Sequence, residues 1–252
     1  MAGNLSGRHA IVTGAGSGVG AAIALALAEA GASVTIVGRR LAALEEVARA
    51  HMRLIPAAAD VTEAASLRQA VAGAVVKSGP VSIVIANAGA AESAPFARMT
   101  PELFRATLEV NLTGVFNTFQ AGLASMAPGG RLIAIASTAA LKGYPYVSAY
   151  CAAKHGVIGL VRSLALELAS TGTTVNAICP GYTETPMLER TLDNIVARTG
   201  RSRAEAEAML KAGNPQKRFI QPSEIAGTVA WLCSDAAASI TGQAISISGG
   251  EI

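Results

Sequence analysis

One tyrosine and one lysine have the spacing that acid–base chemistry needs. In the stretch YCAAK, Tyr150 and Lys154 lie four residues apart, so a helix would place both side chains on one face. A phenol titrates near ~10, and proton transfer near neutral pH requires its pKa to fall by about three units, or ~4 kcal/mol. An ammonium at ~4 Å, at an effective dielectric constant of ~20, supplies about that much. The pair therefore predicts a general acid and base, the alternative being an ordinary pair of helical neighbours.

A glycine-rich stretch, VTGAGSGVG, is a second candidate for chemistry. Gly14, Gly18 and Gly20 do not fit the dinucleotide-binding spacing G-x-G-x-x-G, which would need glycine where Val19 stands. The stretch still joins an apolar run to an alanine- and leucine-rich helical segment. A turn from strand into helix stabilises an anion through unpaired N–H groups and the helix dipole. We expect a phosphate-binding turn, the alternative being a tight connection without a ligand.

Seven short apolar runs alternate with segments of helical spacing along the chain. Such alternation favours parallel strands with helical crossovers, and strands buried on both faces are continuous apolar runs, as these are. The pattern predicts the α/β class, as a single-domain, doubly wound (Rossmann) fold with a seven-stranded parallel sheet. Helices are expected at 41–51, 64–77, 101–126 and 148–170, among others.

In a doubly wound sheet, ligands bind beyond the carboxyl ends of the strands. The residues at the exits of the first six runs are 14–20, 38–40, Asp60, 87–89, Ser137 and 180–181. Each exit carries polar or turn-forming residues, so these are the positions to examine for chemistry. Between the sixth and seventh runs, residues 182–218 add helical material rich in Glu and Arg, which we interpret as a substrate lid.

The composition limits the kind of protein. Of 252 residues, 51% are hydrophobic and 15% charged, which indicates a globular chain, and we interpret residues 1–252 as one domain. The net charge is +3 and the basic residues are scattered, so nucleic acid is not expected as a partner. No apolar run approaches the roughly 18 residues that cross a bilayer, and the start does not resemble a signal peptide. We expect a cytoplasmic protein without membrane contact.

The cysteines and histidines do not have the spacing of a disulfide framework or a metal site. These residues are Cys151, Cys179, Cys233, His9, His51 and His155. The cysteines are odd in number and form no C-x-x-C pair, and the histidines form no H-E-x-x-H motif. We expect packing roles for the cysteines and no bound metal.

Four features together resemble the short-chain dehydrogenase/reductase family. They are the G-x-x-x-G-x-G turn, the run Asn87-Ala88-Gly89, the pair Tyr150-x-x-x-Lys154, and Ser137, thirteen residues before Tyr150. The resemblance extends from about residue 7 to residue 250, nearly the whole chain. It implies hydride transfer between a nicotinamide cofactor and a carbonyl or secondary alcohol. It also implies that the glycine turn holds the pyrophosphate of that cofactor.

The resemblance assigns roles to four residues. Tyr150 would protonate a carbonyl oxygen, or take a proton from an alcohol in the reverse direction. Lys154 would lower the proton affinity of the phenol and hold the nicotinamide ribose, and Ser137 would orient the reacting oxygen. Asn111, in EVNLTG, matches the fourth catalytic residue of the family, which keeps a water near the lysine for proton relay. Its alternative role is a helix-interior amide bonded to the backbone.

The resemblance also implies a cofactor site along the strand exits. Its residues are Gly14, Ser17, Gly18, Val19, Gly20, Arg39, Asp60, Val61, Asn87, Ala88, Gly89, Tyr150, Lys154, Pro180, Gly181 and Thr185. Asp60, Val61 and residues 87–89 would contact the adenine, and residues 180–185 would cover the nicotinamide. The plain alternative for Asp60 is a cap on the next helix.

The exit of the second run bears on the choice between NAD(H) and NADP(H). An NAD site usually offers an acidic residue there, whereas a 2′-phosphate calls for arginine. The chain has the sequence VGRR, residues 37–40, and no acid. Arg39 could pair with the phosphate and Ser17 could add a hydrogen bond, so NADP(H) is favoured over NAD(H). The alternative is that the arginines are solvated residues at the head of the next helix.

The substrate is predicted only by class. The segment NPQKRF and the ending ITGQAISISGG resemble 3-oxoacyl reductases and hydroxyacyl dehydrogenases of the family, which favours a small-molecule 3-oxoacyl-type or other ketone substrate. The expected pocket residues are Leu141, Tyr144, Tyr146, Met187 and Leu188. Basic residues of the lid permit a phosphate-bearing substrate, such as a coenzyme A or acyl carrier thioester. A solvated amphipathic helix explains those residues equally well.

Two alternative functions remain open. One is an NAD-linked secondary alcohol or hydroxyacyl dehydrogenase. The other is a catalytically silent dinucleotide-binding regulator, which the intact Ser137, Tyr150 and Lys154 disfavour. The resemblance further implies a homo-oligomer, most often a tetramer, with the helices at 101–126 and 148–170 in contact.

Overall fold

Seven parallel strands form one sheet, and their carboxyl ends meet along one edge. The computed structural model describes residues 4–252. Its strands are β1 His9–Thr13, β2 Ser33–Gly38, β3 Leu54–Ala58, β4 Val81–Ala86, β5 Met126–Ile135, β6 Thr174–Pro180 and β7 Ala244–Ile247. The strand order is β3-β2-β1-β4-β5-β6-β7, so the order reverses between β1 and β4, which pair directly. The predicted doubly wound parallel sheet is confirmed.

Helices connect the strands and cover both faces of the sheet. They are α1 Gly18–Glu29, α2 Leu41–Ala48, α3 Ala64–Ser78, α4 Pro101–Leu108, α5 Gly114–Leu123, α6 Ser148–Leu168, α7 Pro186–Thr199, α8 Arg203–Ala212 and α9 Pro222–Leu232. One face buries Leu27 of α1 and Ile225 of α9, and the other buries Phe119 of α5 and Val157 of α6. Burial on both faces explains why the strands are continuous apolar runs. Within residues 4–252, no helix has the length and apolar character needed to span a bilayer.

The helix expected at 101–126 is divided in the structure. A π-helical turn, Glu109–Thr113, separates α4 from α5, and β5 already begins at Met126. The turn contains Asn111, whose side chain is completely buried. Insertions of this kind into α-helices are frequent at functional sites. The helices expected at 41–51 and 148–170 are present but end slightly earlier than predicted.

The lid segment, residues 182–218, contributes two helices beyond the exit of β6. Thr185 caps α7 by accepting a hydrogen bond from the backbone N–H of Leu188 at 3.4 Å. Ser202 and Glu205 form a capping box at the start of α8. The two helices enclose a small core of their own, formed by Leu188, Leu192, Ala206 and Phe219. The sequence therefore predicts the helical nature of this segment correctly, and its role as a lid stays a prediction.

Charged residues of the lid segment pair with one another. Arg203 contacts Glu189, lies 3.4 Å from Asp193 and 3.5 Å from Glu207, and Lys211 lies 3.0 Å from Glu207. These side chains are partly exposed, so each pair contributes little to stability. The pairing is that of a solvated amphipathic helix pair for Arg203 and Lys211, and a phosphate-bearing substrate stays an open interpretation of the other basic residues.

Candidate active site

The reversal of strand order brings the ends of β1 and β4 together at Thr13. The Thr13 hydroxyl donates to the carbonyl oxygen of Ile85 at 3.4 Å and accepts from the backbone N–H of Asn87 at 3.1 Å. The side-chain amide of Asn87 donates to the carbonyl oxygens of Thr13 at 3.0 Å and Gly14 at 3.3 Å. Asn87 thus ties the glycine turn to β4. Sequence reasoning missed Thr13, although a polar residue that ends an apolar run is a usable signal.

The glycine turn is packed too closely for side chains at two positions. Gly14 has φ +67°, and a Cβ atom there would lie 2.7 Å from Cα of Ala88. A Cβ atom at Gly20 would lie 2.5 Å from the carbonyl oxygen of Gly14. At Gly18, which has φ +57°, a Cβ atom would lie 3.2 Å from the Thr185 side chain. The structure therefore brings the turn against the segment after β6, as the predicted cofactor site requires.

The amino end of α1 is suited to an anion. Ser17 precedes the helix in an extended conformation, makes no side-chain cap within the described residues, and is followed by a first turn without acidic residues. The first N–H groups of a helix, here those of Gly18, Val19 and Gly20, have no intrahelical partner and carry the positive end of the dipole. A dinucleotide pyrophosphate fits this uncapped, glycine-lined end.

The exit of β2 presents two arginines beside a carboxylate. The exposed Arg39 guanidinium lies 3.9 Å from Asp60, a long distance for an ion pair, and Arg40 precedes α2, whose first turn has no acidic residue. Asp60 accepts from the N–H and the hydroxyl of Thr62 at 3.0 and 2.8 Å. Because the residue preceding α3 is Glu63, Asp60 stabilises a turn and does not cap that helix.

Three further residues of the predicted cofactor site, Val61, Pro180 and Gly181, are held in place by contacts with the sheet and the core. Val61 is 7% exposed, and its carbonyl oxygen accepts from the side-chain amide of Asn117 at 2.8 Å. Pro180 ends β6, and the N–H of Gly181 donates to Ile247 at 3.0 Å. The backbone after β6 is therefore held against β7.

Lys154 is buried below the end of β5. Only 3% of the residue is exposed, and its Nζ atom donates to the carbonyl oxygen of Ile135 at 2.9 Å. Nζ lies 5.6 Å from the centre of the Tyr150 ring. Burial lowers the pKa of Lys154 to about 8, because an ammonium loses solvation in the interior.

The surroundings of Tyr150 favour its protonated form, and the lowering of its pKa by Lys154 stays a prediction. Burial raises the pKa of Tyr150 to about 12, and a hydrogen bond with Ser137 offsets only part of that rise. The Lys154 ammonium donates to the Ile135 carbonyl, and its Nζ atom lies 5.6 Å from the centre of the Tyr150 ring. The structure does bring Ser137, Tyr150 and Lys154 together, as predicted, with electrostatics that favour the neutral phenol.

Asn111 holds the loop after β4 in place. Its Nδ2 atom donates to the carbonyl oxygens of Ala90 at 2.8 Å and Thr107 at 2.9 Å, and its Oδ1 atom accepts from the N–H of Ala90 at 3.2 Å. A Cβ atom at Gly89 would lie 2.9 Å from Oδ1 of Asn111 and 3.7 Å from Nζ of Lys154. The amide is therefore bonded to backbone, the alternative considered from the sequence, and it lies with Lys154 against Gly89.

The substrate loop, residues 141–147, lies between Ser137 and Tyr150 in the chain. Tyr144 packs edge-on against Tyr182, with ring centres 6.5 Å apart. Tyr146 is 64% exposed and has φ +69°, a strained conformation that its carbonyl maintains by accepting from the N–H of Ala94 at 2.9 Å. The role of these residues in a substrate pocket stays a prediction, and Leu188 is buried in the core of the lid segment.

Comparisons with known proteins agree with this geometry. A sequence model described as Enoyl-(Acyl carrier protein) reductase matches residues 14–251. A putative ketoacyl reductase of Streptomyces coelicolor is 37% identical over 211 residues, which are 82% of this chain and 81% of that protein. A D-beta-hydroxybutyrate dehydrogenase of Cupriavidus necator is 35% identical in an alignment of 256 positions that covers 98% of this chain and 99% of that protein.

A solved structure extends the likeness to the whole fold. The crystal structure of a tryptophan variant of actinorhodin polyketide ketoreductase with NADPH is 36% identical, with a TM-score of 0.93 over 100% of this chain and 99% of that chain. The matched region includes the glycine turn, the Ser137, Tyr150 and Lys154 group, and the segment after β6. The chain belongs to the short-chain dehydrogenase/reductase family of NAD(P)-dependent oxidoreductases.

Proposed function

We propose that this protein reduces a 3-oxoacyl-type or other ketone with NADPH. The observation that carries the proposal is the convergence of Ser137, Tyr150 and Lys154 at the end of β5, beside the glycine turn. At neutral pH the phenol keeps its proton, since its pKa is about 12, and a general acid must be protonated before it acts.

The residues of the chain hold and protonate the substrate oxygen. A bound nicotinamide supplies the hydride that the carbonyl carbon accepts. Ser137 orients the oxygen by a hydrogen bond, and Tyr150 donates its proton to that oxygen. The buried Lys154 ammonium stabilises the negative charge that remains on the phenol, an effect that is strong where water is excluded. Asn111 keeps the loop beside Lys154 in position.

The preference for NADPH rests on the exit of β2. Arg39 lies only loosely against Asp60, so its guanidinium can turn to a 2′-phosphate, and Arg40 lies at the amino end of α2. The uncapped Ser17 can add a hydrogen bond. The bound NADPH named for the actinorhodin ketoreductase structure supports the same preference.

The substrate class is supported by the relatives and by the state of Tyr150. The Streptomyces coelicolor relative is named as a ketoacyl reductase. The runner-up, an NAD-linked hydroxyacyl or secondary alcohol dehydrogenase, is favoured by the full-length likeness to a hydroxybutyrate dehydrogenase. Oxidation of an alcohol needs Tyr150 as a base, and a phenol with a pKa of about 12 is a poor source of phenolate at neutral pH. The protonated phenol is the form from which reduction starts, and the named ketoacyl reductase supports proposing this direction.

The proposed assembly is a homotetramer with α5 and α6 at its contacts. Phe116 of α5 is 45% exposed and Leu166 of α6 is 83% exposed, and apolar side chains left open on neighbouring helices favour association. Location in the cytoplasm stays a prediction from the sequence.

Turnover with NADPH and NADH, measured side by side on ketones and 3-oxoacyl thioesters, tests this function. We expect NADPH to be preferred and Arg39→Asp to reverse the preference, because a carboxylate repels the 2′-phosphate and accepts hydrogen bonds from ribose hydroxyls. Arg49→Asp, at an exposed site paired with Glu46, is the control for charge. Preference for NADH in the wild type would contradict the NADPH proposal and favour the alternative NAD-linked dehydrogenase. Nucleotide binding without turnover would support the catalytically silent regulator.

A further inference from the structure

A polar cluster lies directly behind the catalytic serine. Thr138, which follows Ser137, has its hydroxyl 2.7 Å from that of Tyr144, and Tyr144 donates to the Glu251 carboxylate at 2.6 Å. The Lys142 ammonium lies 2.8 Å from the same carboxylate. A phenol has one proton and a carboxylate only accepts, so Tyr144 donates to Glu251 and accepts from Thr138. We name Thr138, Lys142, Tyr144 and Glu251 the Glu251 cluster.

Glu251 is fixed between the sheet edge and the lid segment. Its side chain is only 6% exposed, and its backbone N–H donates to the carbonyl oxygen of Ser248 at 3.3 Å. A Cβ atom at Gly181, just after β6, would lie 3.4 Å from one carboxylate oxygen. A Cβ atom at Gly213, just after α8, would lie 3.3 Å from the other. The carboxylate therefore fills a slot whose two sides are glycines.

The Glu251 cluster adjoins the group formed by Ser137 and Tyr150, through Thr138 on one side and Tyr182 on the other. The Tyr144 ring contacts Tyr182, whose phenol is close enough to Tyr150 to affect its pKa. The Lys142 ammonium lies 4.9 Å from the centre of the Tyr144 ring, and its side chain is 39% exposed. Lys142 is thus the accessible member of the pair, and Glu251 is the buried one.

The pairing decides whether the pocket wall carries a net charge. A lysine held by a buried carboxylate makes a charge-assisted hydrogen bond and has no free charge to offer a second anion. Without the Glu251 charge, Lys142 would become an accessible cation next to Tyr144. Selectivity between two substrates follows the difference of their affinities, so this one charge can decide between an acid and its ester.

We propose that Glu251 is a specificity-determining residue that occupies Lys142 and so makes the enzyme favour neutral 3-oxo compounds over free 3-oxo acids. The inference rests on the proposed ketone reductase function. Glu251 is assigned a role in the choice of substrate only, acting through Lys142, and no role in proton transfer or in binding of the glycine turn.

The test compares acetoacetate with its ethyl ester, which carry the same 3-oxo group and differ in charge. Values of kcat and KM are measured with NADPH for the wild type, Glu251→Gln, Lys142→Met and the double variant. We expect the wild type to prefer the ester. In Glu251→Gln, the ratio of kcat/KM for acid over ester rises about tenfold or more, chiefly through KM, as one charge-assisted hydrogen bond would give. In the double variant that gain is lost.

Lys142→Met provides an independent measurement if Glu251→Gln does not fold. It leaves the carboxylate without its cation, so the acid-to-ester ratio is expected to fall below that of the wild type. Melting temperature and NADPH affinity are recorded for every variant, because a loss of fold would change these and not the ratio.

Three results would overturn the inference. The first is a Glu251→Gln ratio equal to that of the wild type, which would mean that the cluster only orders the substrate loop. The second is a gain that persists in the double variant. The third is a wild type that reduces no ketone with NADPH, which would remove the proposed function together with the inference. Turnover of the ester with an unchanged ratio removes the inference alone.

Discussion

At the residue scale, loss of solvation sets the charge states of the two proposed catalytic side chains, Tyr150 and Lys154. The interior raises the pKa of the Tyr150 phenol to about 12 and lowers the pKa of Lys154 to about 8, because each charged form loses its solvation. The phenol is therefore protonated over the whole neutral range. Of the two groups, Lys154 is the one whose pKa lies close to neutral pH.

The pH dependence of ketone reduction should report Lys154. Since its pKa is lowered to about 8, the ammonium is present below that pH and is lost above it. We expect kcat/KM to be level near neutrality and to fall about tenfold per pH unit well above pH 8. Steady-state rates between about pH 6 and about pH 10 measure this profile.

Lys154→Arg is the matched variant for that profile. A guanidinium stays charged over the range, so the inflection should disappear even though the altered geometry lowers the rate. An inflection that is retained in Lys154→Arg would assign the titration to another group and would contradict the role of the lysine charge.

The proximity of the predicted catalytic residues follows from the sequence, but their electrostatic surroundings do not. The i,i+4 spacing is a local property, and it correctly joins Tyr150 and Lys154 on one helix. The carbonyl that holds Lys154 belongs to Ile135, in another element, and burial of both groups depends on the complete fold. For the same reason Glu251 could not be assigned to the site, because its partners Lys142 and Tyr144 lie more than a hundred residues earlier.

At the scale of elements, the positions of the strands could be predicted from the sequence, whereas the ends of the helices could be predicted less accurately. Apolar runs mark the strands because both faces of the sheet are covered. The π-helical turn at Glu109–Thr113 has no comparable signal, since it depends on contacts of Asn111 with Ala90, a residue of the loop after β4. Propensity alone continues the helix through this position.

The glycine turn should not tolerate a side chain at Gly14. Gly14→Ala places a Cβ atom 2.7 Å from Cα of Ala88, at φ +67°, so we expect a loss of about 1–3 kcal/mol in the free energy of unfolding. NADPH affinity should fall as well, because the shifted turn displaces the amino end of α1. Chemical denaturation and nucleotide titration measure the two effects.

Gly73→Ala is the matched control for this substitution. Gly73 lies inside α3, and a Cβ atom there meets no other atom within 4 Å. Alanine in a helix interior should stabilise the protein by about 0.5–1 kcal/mol. Equal effects of the two substitutions would contradict the close packing of the turn.

At the scale of the whole molecule, the alternation of elements predicts both the fold and the edge at which the site lies. Every predicted catalytic residue lies near the carboxyl ends of the strands, close to the reversal between β1 and β4. Association between copies is a separate question, because it depends on which apolar side chains remain exposed after folding.

Sedimentation of the purified protein should give four times the 25.4 kDa chain mass. We expect Leu166→Lys to shift the distribution to smaller species, since it places a charge on an apolar contact of α6. Met52→Lys is the control, because Met52 is 95% exposed in the turn before β3, outside α5 and α6. A monomeric wild type, or equal effects of both substitutions, would rule out this assembly.

The most direct test of Tyr150 as the general acid of an NADPH-dependent ketone reductase is the turnover of Tyr150→Phe beside that of Tyr146→Phe, with NADPH affinity measured for both. We expect Tyr150→Phe to lose about 10²–10⁴-fold in kcat while it still binds NADPH, because only the proton donor is removed. The exposed Tyr146→Phe should keep its activity within a few fold. Full activity of Tyr150→Phe, or a wild type that binds NADPH and reduces no ketone, would contradict the proposed function.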